Sequence, residues 1–74
     1  MNVDQLAAQA IRHWAEHLPQ KTADLKEAGT LEMRAKQAAE RAMTEIDEMT
    51  QKGVGRTMAE EMVLPEYITL PPEV

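Results

Sequence analysis

Seventy-four residues with a single tryptophan, a single tyrosine, no phenylalanine and no cysteine leave room for one small domain. That length excludes a two-domain enzyme and a Rossmann or barrel fold. The missing cysteine excludes a disulfide scaffold, and no apolar run nears the roughly 20 residues that span a bilayer. Thirteen acids against eight bases give a net charge of −5; a phosphate backbone calls for clustered Lys and Arg, and here the bases stand singly among acids, so no direct nucleic-acid contact and no membrane contact are expected.

Asn2, with Gln5 three residues on, reads as a capping box. The helix that follows, over about 3–18, carries Val3, Ala7, Ala10, Ile11, Trp14 and Leu18 on one face, flanked by Leu6. Pro19 ends it, because its ring and missing N–H interrupt the ladder. A short second helix over about 22–28 takes Thr22 as its cap and Gly29 as its left-handed stop.

The third helix, over about 31–52, lies between the cap Thr30 and the stop Gly53, with no breaker inside. Leu31, Ala35, Ala38, Ala42, Ile46 and Met49 form its stripe, with Ala39 and Met43 along the edge. Alanine in the middle of the stripe lets a packing helix approach near the short end of the roughly 8–10 Å interaxial range. Met33 falls off the stripe and is the candidate exposed contact.

Gly53-Val54-Gly55 links to a helix over about 58–64. Thr57 and Glu60 match a capping box there, Met58 and Met62, with Val63, are expected inside, and Pro65 ends it. Residues 65–74 read as an extended arm, since Tyr67, Ile68 and Thr69 favour strand geometry and Pro71-Pro72 favours polyproline. The arm either folds back over a thin helical core or docks in a partner's groove. The expected fold is therefore all-α, a helical hairpin or small helix bundle over 1–64 with an extended C-terminal arm.

His13-Trp14-Ala15-Glu16-His17 matches H-x-x-E-H, a zinc-hydrolase pattern. Two histidines four apart share a helix face, but a catalytic zinc needs a third protein ligand, and none sits in a recognisable motif. Boundary histidines near a helix C-terminus explain the pair. No nucleophile elbow or Gly-rich phosphate loop is present. The expectation is no enzyme, no metal and no cofactor, with a metal-dependent hydrolase as the remote third reading.

Thirteen Val, Ile and Leu residues return little burial against about 1–2 kcal/mol of backbone ordering per residue. Association is the expected remedy: a homo-oligomer through Leu31, Ala35, Ala38, Ala42, Ile46 and Met49, or a larger protein partner. Glu45, Asp47, Glu48, Glu60, Glu61 and Glu66 read as an acidic face for a partner's basic groove. Tyr67, Ile68 and Leu70 read as docking side chains of the arm.

His17-Leu18-Pro19 closing a Trp-bearing helix, the long helix opening at Gly29-Thr30-Leu31, and the ending Leu70-Pro71-Pro72-Glu73 together resemble small helical proteins of tailed phages and prophages. The resemblance implies a bacterial cytoplasm and a role in host takeover, defence evasion or particle assembly; it brings no catalytic residues. The expected function is a phage-encoded protein-binding factor that masks or redirects a host protein. The alternative is a self-associating structural or assembly component.

Overall fold

A computed structural model describes residues 2–73. Asn2 opens α1 (Val3–His17) with a complete capping box: the Gln5 amide donates to Asn2 Oδ1 at 2.8 Å and the Asn2 amide to Gln5 Oε1 at 3.2 Å. The buried stripe of α1 is Leu6, Ala10 and Trp14, continued by Leu18 just past its end; Val3, Ala7 and Ile11 pack along the flank.

Pro19 starts the next helix rather than only ending the first. α2 runs Pro19–Glu27, three residues earlier than the sequence suggested. Proline at the first helical position forfeits an N–H that would be orphaned there anyway, and its fixed φ suits the turn. Thr22 is consequently interior: its amide donates to the Leu18 carbonyl at 2.9 Å, and its buried hydroxyl finds no partner among the described residues. Gly29, with φ of +74°, turns the chain into α3 (Leu31–Gln51). Thr30 precedes α3 without a side-chain capping bond; its hydroxyl instead donates to the Leu25 carbonyl at 3.4 Å.

Gly53, with φ of +94°, ends the α3 turn, and α4 (Arg56–Tyr67) follows from Gly55. The expected Thr57–Glu60 box does not form, because the helix has already begun at Arg56. Ala59 and Val63 are its buried stripe, while Met58 and Met62 are more than half exposed, reversing the sequence expectation. Pro65 lies inside α4 instead of ending it. Its missing N–H falls close to the C-terminus, and the helix is held beyond it by the Ile68 amide donating to the Leu64 carbonyl at 2.7 Å and by full burial of Ile68.

These elements make an all-α bundle with no strand among the described residues. α3 packs against both α1 and α4, and α2 bridges α1 and α3. Eleven apolar residues are buried, five of them alanine, so the core is thin, as the composition implied. Backbone extents of 41 × 24 × 13 Å make the molecule flat. Its accessible surface of 5020 Å² exceeds the roughly 4,600 Å² of a compact monomer of this mass.

Part of the α3 stripe is consumed within the chain. Ala35, Ala39, Ala42 and Ile46 have no exposed surface, and Leu31, Ala38 and Met49 are half-buried against the same cluster. Of the six residues expected to self-associate, Ala35, Ala42 and Ile46 are thus taken up by packing within the single chain, whereas Leu31, Ala38 and Met49 keep part of their surface.

Candidate functional site

After α4 the chain returns across the α1–α2 corner. The buried Trp14 Nε1 donates to the Ile68 carbonyl at 2.8 Å. His13 Nε2 lies 3.0 Å from the Leu70 carbonyl; a carbonyl only accepts, so the ring carries its proton on that nitrogen. The Glu73 amide donates to the His17 carbonyl at 2.9 Å, satisfying one of the carbonyls left open at the end of α1. The Glu73 carboxylate accepts from the Lys21 amide at 3.0 Å and the Gln20 amide at 3.4 Å. α2 has no side-chain cap of its own, so an acid about fifty residues downstream caps it, with the sign the helix dipole favours.

This return path completes a cleft of about 430 Å³, within the size range of small binding pockets. Its floor is Ala38 on α3, and Trp14, Leu25, Tyr67 and Leu70 supply apolar walls. Lys21 from α2 and Arg34 and Arg41 from α3 stand on the rim with Gln37 and a single acid, Glu66. Arg34, Ala38 and Arg41 lie at i, i+4 and i+7, one face of a helix. The small alanine between the two arginines puts little side-chain volume into the hollow. Among the described residues, none of the three cations has a carboxylate within 4.0 Å. Three bases thus converge in a chain of net charge −5.

Arg41 and Tyr67 also border a second hollow, lined on its far side by Glu40, Glu45 and Glu48. The Tyr67 hydroxyl donates to Glu45 Oε1 at 2.7 Å. That bond, then desolvation, then the negative charge of Glu45 and of Glu66, raise the Tyr67 pKa; Arg41 pulls it the other way. A cationic cleft and an acidic hollow therefore stand side by side.

Of the six acids read as one face, five are divided among three hollows, and Asp47 lines none of the three. Glu45 and Glu48 line the acidic hollow, Glu66 the cleft, and Glu60 and Glu61 a shallow depression beside Leu64 and Pro65. Arg56 lies 4.0 Å from Asp47 and 3.7 Å from Glu60, which partly neutralises two of them. Of the arm residues, Tyr67 and Leu70 line the cleft, whereas Ile68 is wholly buried and cannot dock on a partner. Met33 is exposed as read.

The cationic cleft was missed because Lys21, Arg34 and Arg41 look scattered along the chain. The Arg34–Ala38–Arg41 spacing was available as a signal; the approach of Lys21 and Leu70 was not. The His13 and His17 rings lie with centroids 4.3 Å apart and planes tilted by 35°, and His17 lies 3.8 Å from Glu16. No group of three His, Asp or Glu side chains among the described residues is placed to hold a metal ion, and no helix among them is long and apolar enough to cross a membrane. No protein-family model, curated protein or solved structure matches the chain.

Proposed function

We propose that this protein is a non-enzymatic binding module that engages a protein partner through the cleft between α2, α3 and the return path after α4. The convergence around Trp14 and Tyr67 of Lys21, Arg34 and Arg41, unpaired among the described residues, carries the reading. A flat body with surplus surface and a thin core suits a platform better than an enclosed reaction site, where water must be excluded. The hydroxyls of Thr30, Thr44 and Thr50 donate to backbone carbonyls rather than to a base, so none is set up as an activated nucleophile. In the phage setting that the resemblance implies, the partner is a bacterial protein that the module masks or redirects.

The test places a photo-crosslinking amino acid at Gln37, on the cleft rim, and at the exposed Gln51 as a control, in cells of the native host. A single adduct from Gln37, absent from Gln51 and lost on Arg34→Glu/Arg41→Glu, supports the proposal. Equal capture at both positions, or an adduct indifferent to the charge reversals, refutes it.

Met58 and Met62, 57% and 52% exposed and one turn apart on α4, favour a second reading in which copies of the chain assemble. Adaptable thioether surfaces suit such contacts. Sedimentation equilibrium of the wild type and of Met58→Glu/Met62→Glu separates the two: an oligomer that the double variant dissolves supports assembly, and an unaltered monomer discards it.

A further inference from the structure

Resting on the binding-module reading, we propose that the cleft recognises an acidic, proline-bearing segment of the partner in which two carboxylates flank one bulky apolar side chain. Arg34 and Arg41 are seven residues apart on α3, about 10.5 Å along the axis. One carboxylate does not serve both guanidinium groups at that span without drawing the two side chains together; two carboxylates do. Same-face positions of a β-strand recur every two residues, about 6.8 Å, which is too short. Those of a polyproline helix recur every three, about 9.3 Å, which matches the arginine spacing. With three residues per turn, the side chain that follows the first acid projects about 120° from the acid edge, toward the lining that α2, α4 and the return path supply, Leu25, Tyr67 and Leu70.

Charge limits the ligand as well as inviting it. Glu66 stands on the rim of the cleft, and Glu40, Glu45 and Glu48 line the next hollow, across Arg41 and Tyr67. A nucleic acid, with a charge every few ångströms, would be driven against those acids. A segment with two acids a turn apart places one charge at each arginine and meets three cations against the single acid Glu66. Its backbone also carries amide and carbonyl groups that the Gln37 side chain can bond, which an aliphatic dicarboxylate lacks.

The chain has one tryptophan, and it borders the cleft, so Trp14 fluorescence reports occupancy. The probe is an acetylated, amidated peptide Ala-Glu-Leu-Pro-Glu-Ala, titrated at low and high salt against the full chain. Saturable binding is expected, weakened about tenfold or more by Arg34→Gln and by Arg41→Gln, the fold-change a charge-assisted contact carries. Lys52→Gln, outside the cleft, is expected to leave it unchanged, and unaltered melting of each variant shows that the fold is intact. Replacing both peptide glutamates by glutamine should abolish binding, and added salt should weaken it. No saturable signal, equal binding of the glutamine peptide, or equal affinity for sebacate, a dicarboxylate of similar span, overturns the proposal. If the peptide fails while the Gln37 adduct still depends on Arg34 and Arg41, this inference falls alone; if both fail, the binding-module reading falls with it.

Discussion

Replacing Trp14 by phenylalanine isolates the bond that ties the return path to the core. The Ile68 carbonyl accepts from Trp14 Nε1 at 2.8 Å in a buried setting. A helical continuation would have supplied the amide of residue 72, but Pro71 and Pro72 have none. Trp14→Phe therefore leaves a buried carbonyl unsatisfied, at about 1–3 kcal/mol, and adds the smaller loss of indole packing. At roughly 0.05–0.15 kcal/mol per residue, a domain of this length has about 4–11 kcal/mol in all, so one bond is a sizeable share. At about 4–8 °C per kcal/mol for a chain of this size, the lost bond alone should lower Tm by about 4–24 °C. Far-UV circular dichroism through urea and thermal melts measures it, since fluorescence is lost with the indole. Met33→Ala, at an exposed site, should stay within about 0.5 kcal/mol. A Trp14→Phe variant as stable as the wild type would refute the account of how the tail is held.

Glu73→Ala removes the carboxylate that caps α2 and should lower stability by about 1 kcal/mol, with Tm reduced by about 4–8 °C; an unchanged melt would show that the cap carries no weight. Thr22→Val replaces a buried hydroxyl without a partner by an apolar group of the same shape, so Tm should hold or rise; a clear fall in urea midpoint would contradict the unsatisfied hydroxyl. Tyr67 has a folded pKa raised above its usual value near 10 by the Glu45 bond, by desolvation and by the Glu45 charge. A raised pKa favours the protonated form in the folded state, so this contribution is fully present below the unfolded pKa and is lost as pH rises through the folded one. Tyrosinate absorbance should titrate at lower pH after Glu45→Gln, and the alkaline decline in stability should be weaker in Tyr67→Phe.

The helices were legible where one local signal decided the outcome. The Asn2–Gln5 box, the positive φ at Gly29 and Gly53, and the alanine-rich face of α3 are local facts, and the sequence contains them. Errors arose where a long-range contact outweighed a local preference. Pro65 reads as a stop, yet burial of Ile68 and the Tyr67–Glu45 bond carry α4 past it. Thr57 and Glu60 read as a cap, but the helix is already under way at Arg56, and packing on α3 selects Ala59 and Val63, not the methionines, for the core. Glu73 could not be read as a cap at all, since its targets lie more than fifty positions away. The cleft belongs to the same class: its α3 edge follows from helical spacing, and its other walls follow from tertiary packing alone.

Thin packing and the cleft have one origin. Alanine at 35, 39 and 42 lets neighbouring helices settle closely on α3, and the same economy of side-chain volume at Ala38, one helical step to the side, leaves a hollow instead of a filled seam. Trp14, Tyr67 and Leu70 then serve twice, as anchors of the return path and as walls of the cleft. Changes at those three residues must alter stability and binding together. Lys21, Arg34 and Arg41 are exposed and, among the described residues, unpaired, so their loss takes nothing from the core. Recognition can thus be varied through the rim cations without disturbing the fold. A ligand that bridges α2, α3 and the return path would in turn add the cross-links this core lacks and raise Tm with its concentration.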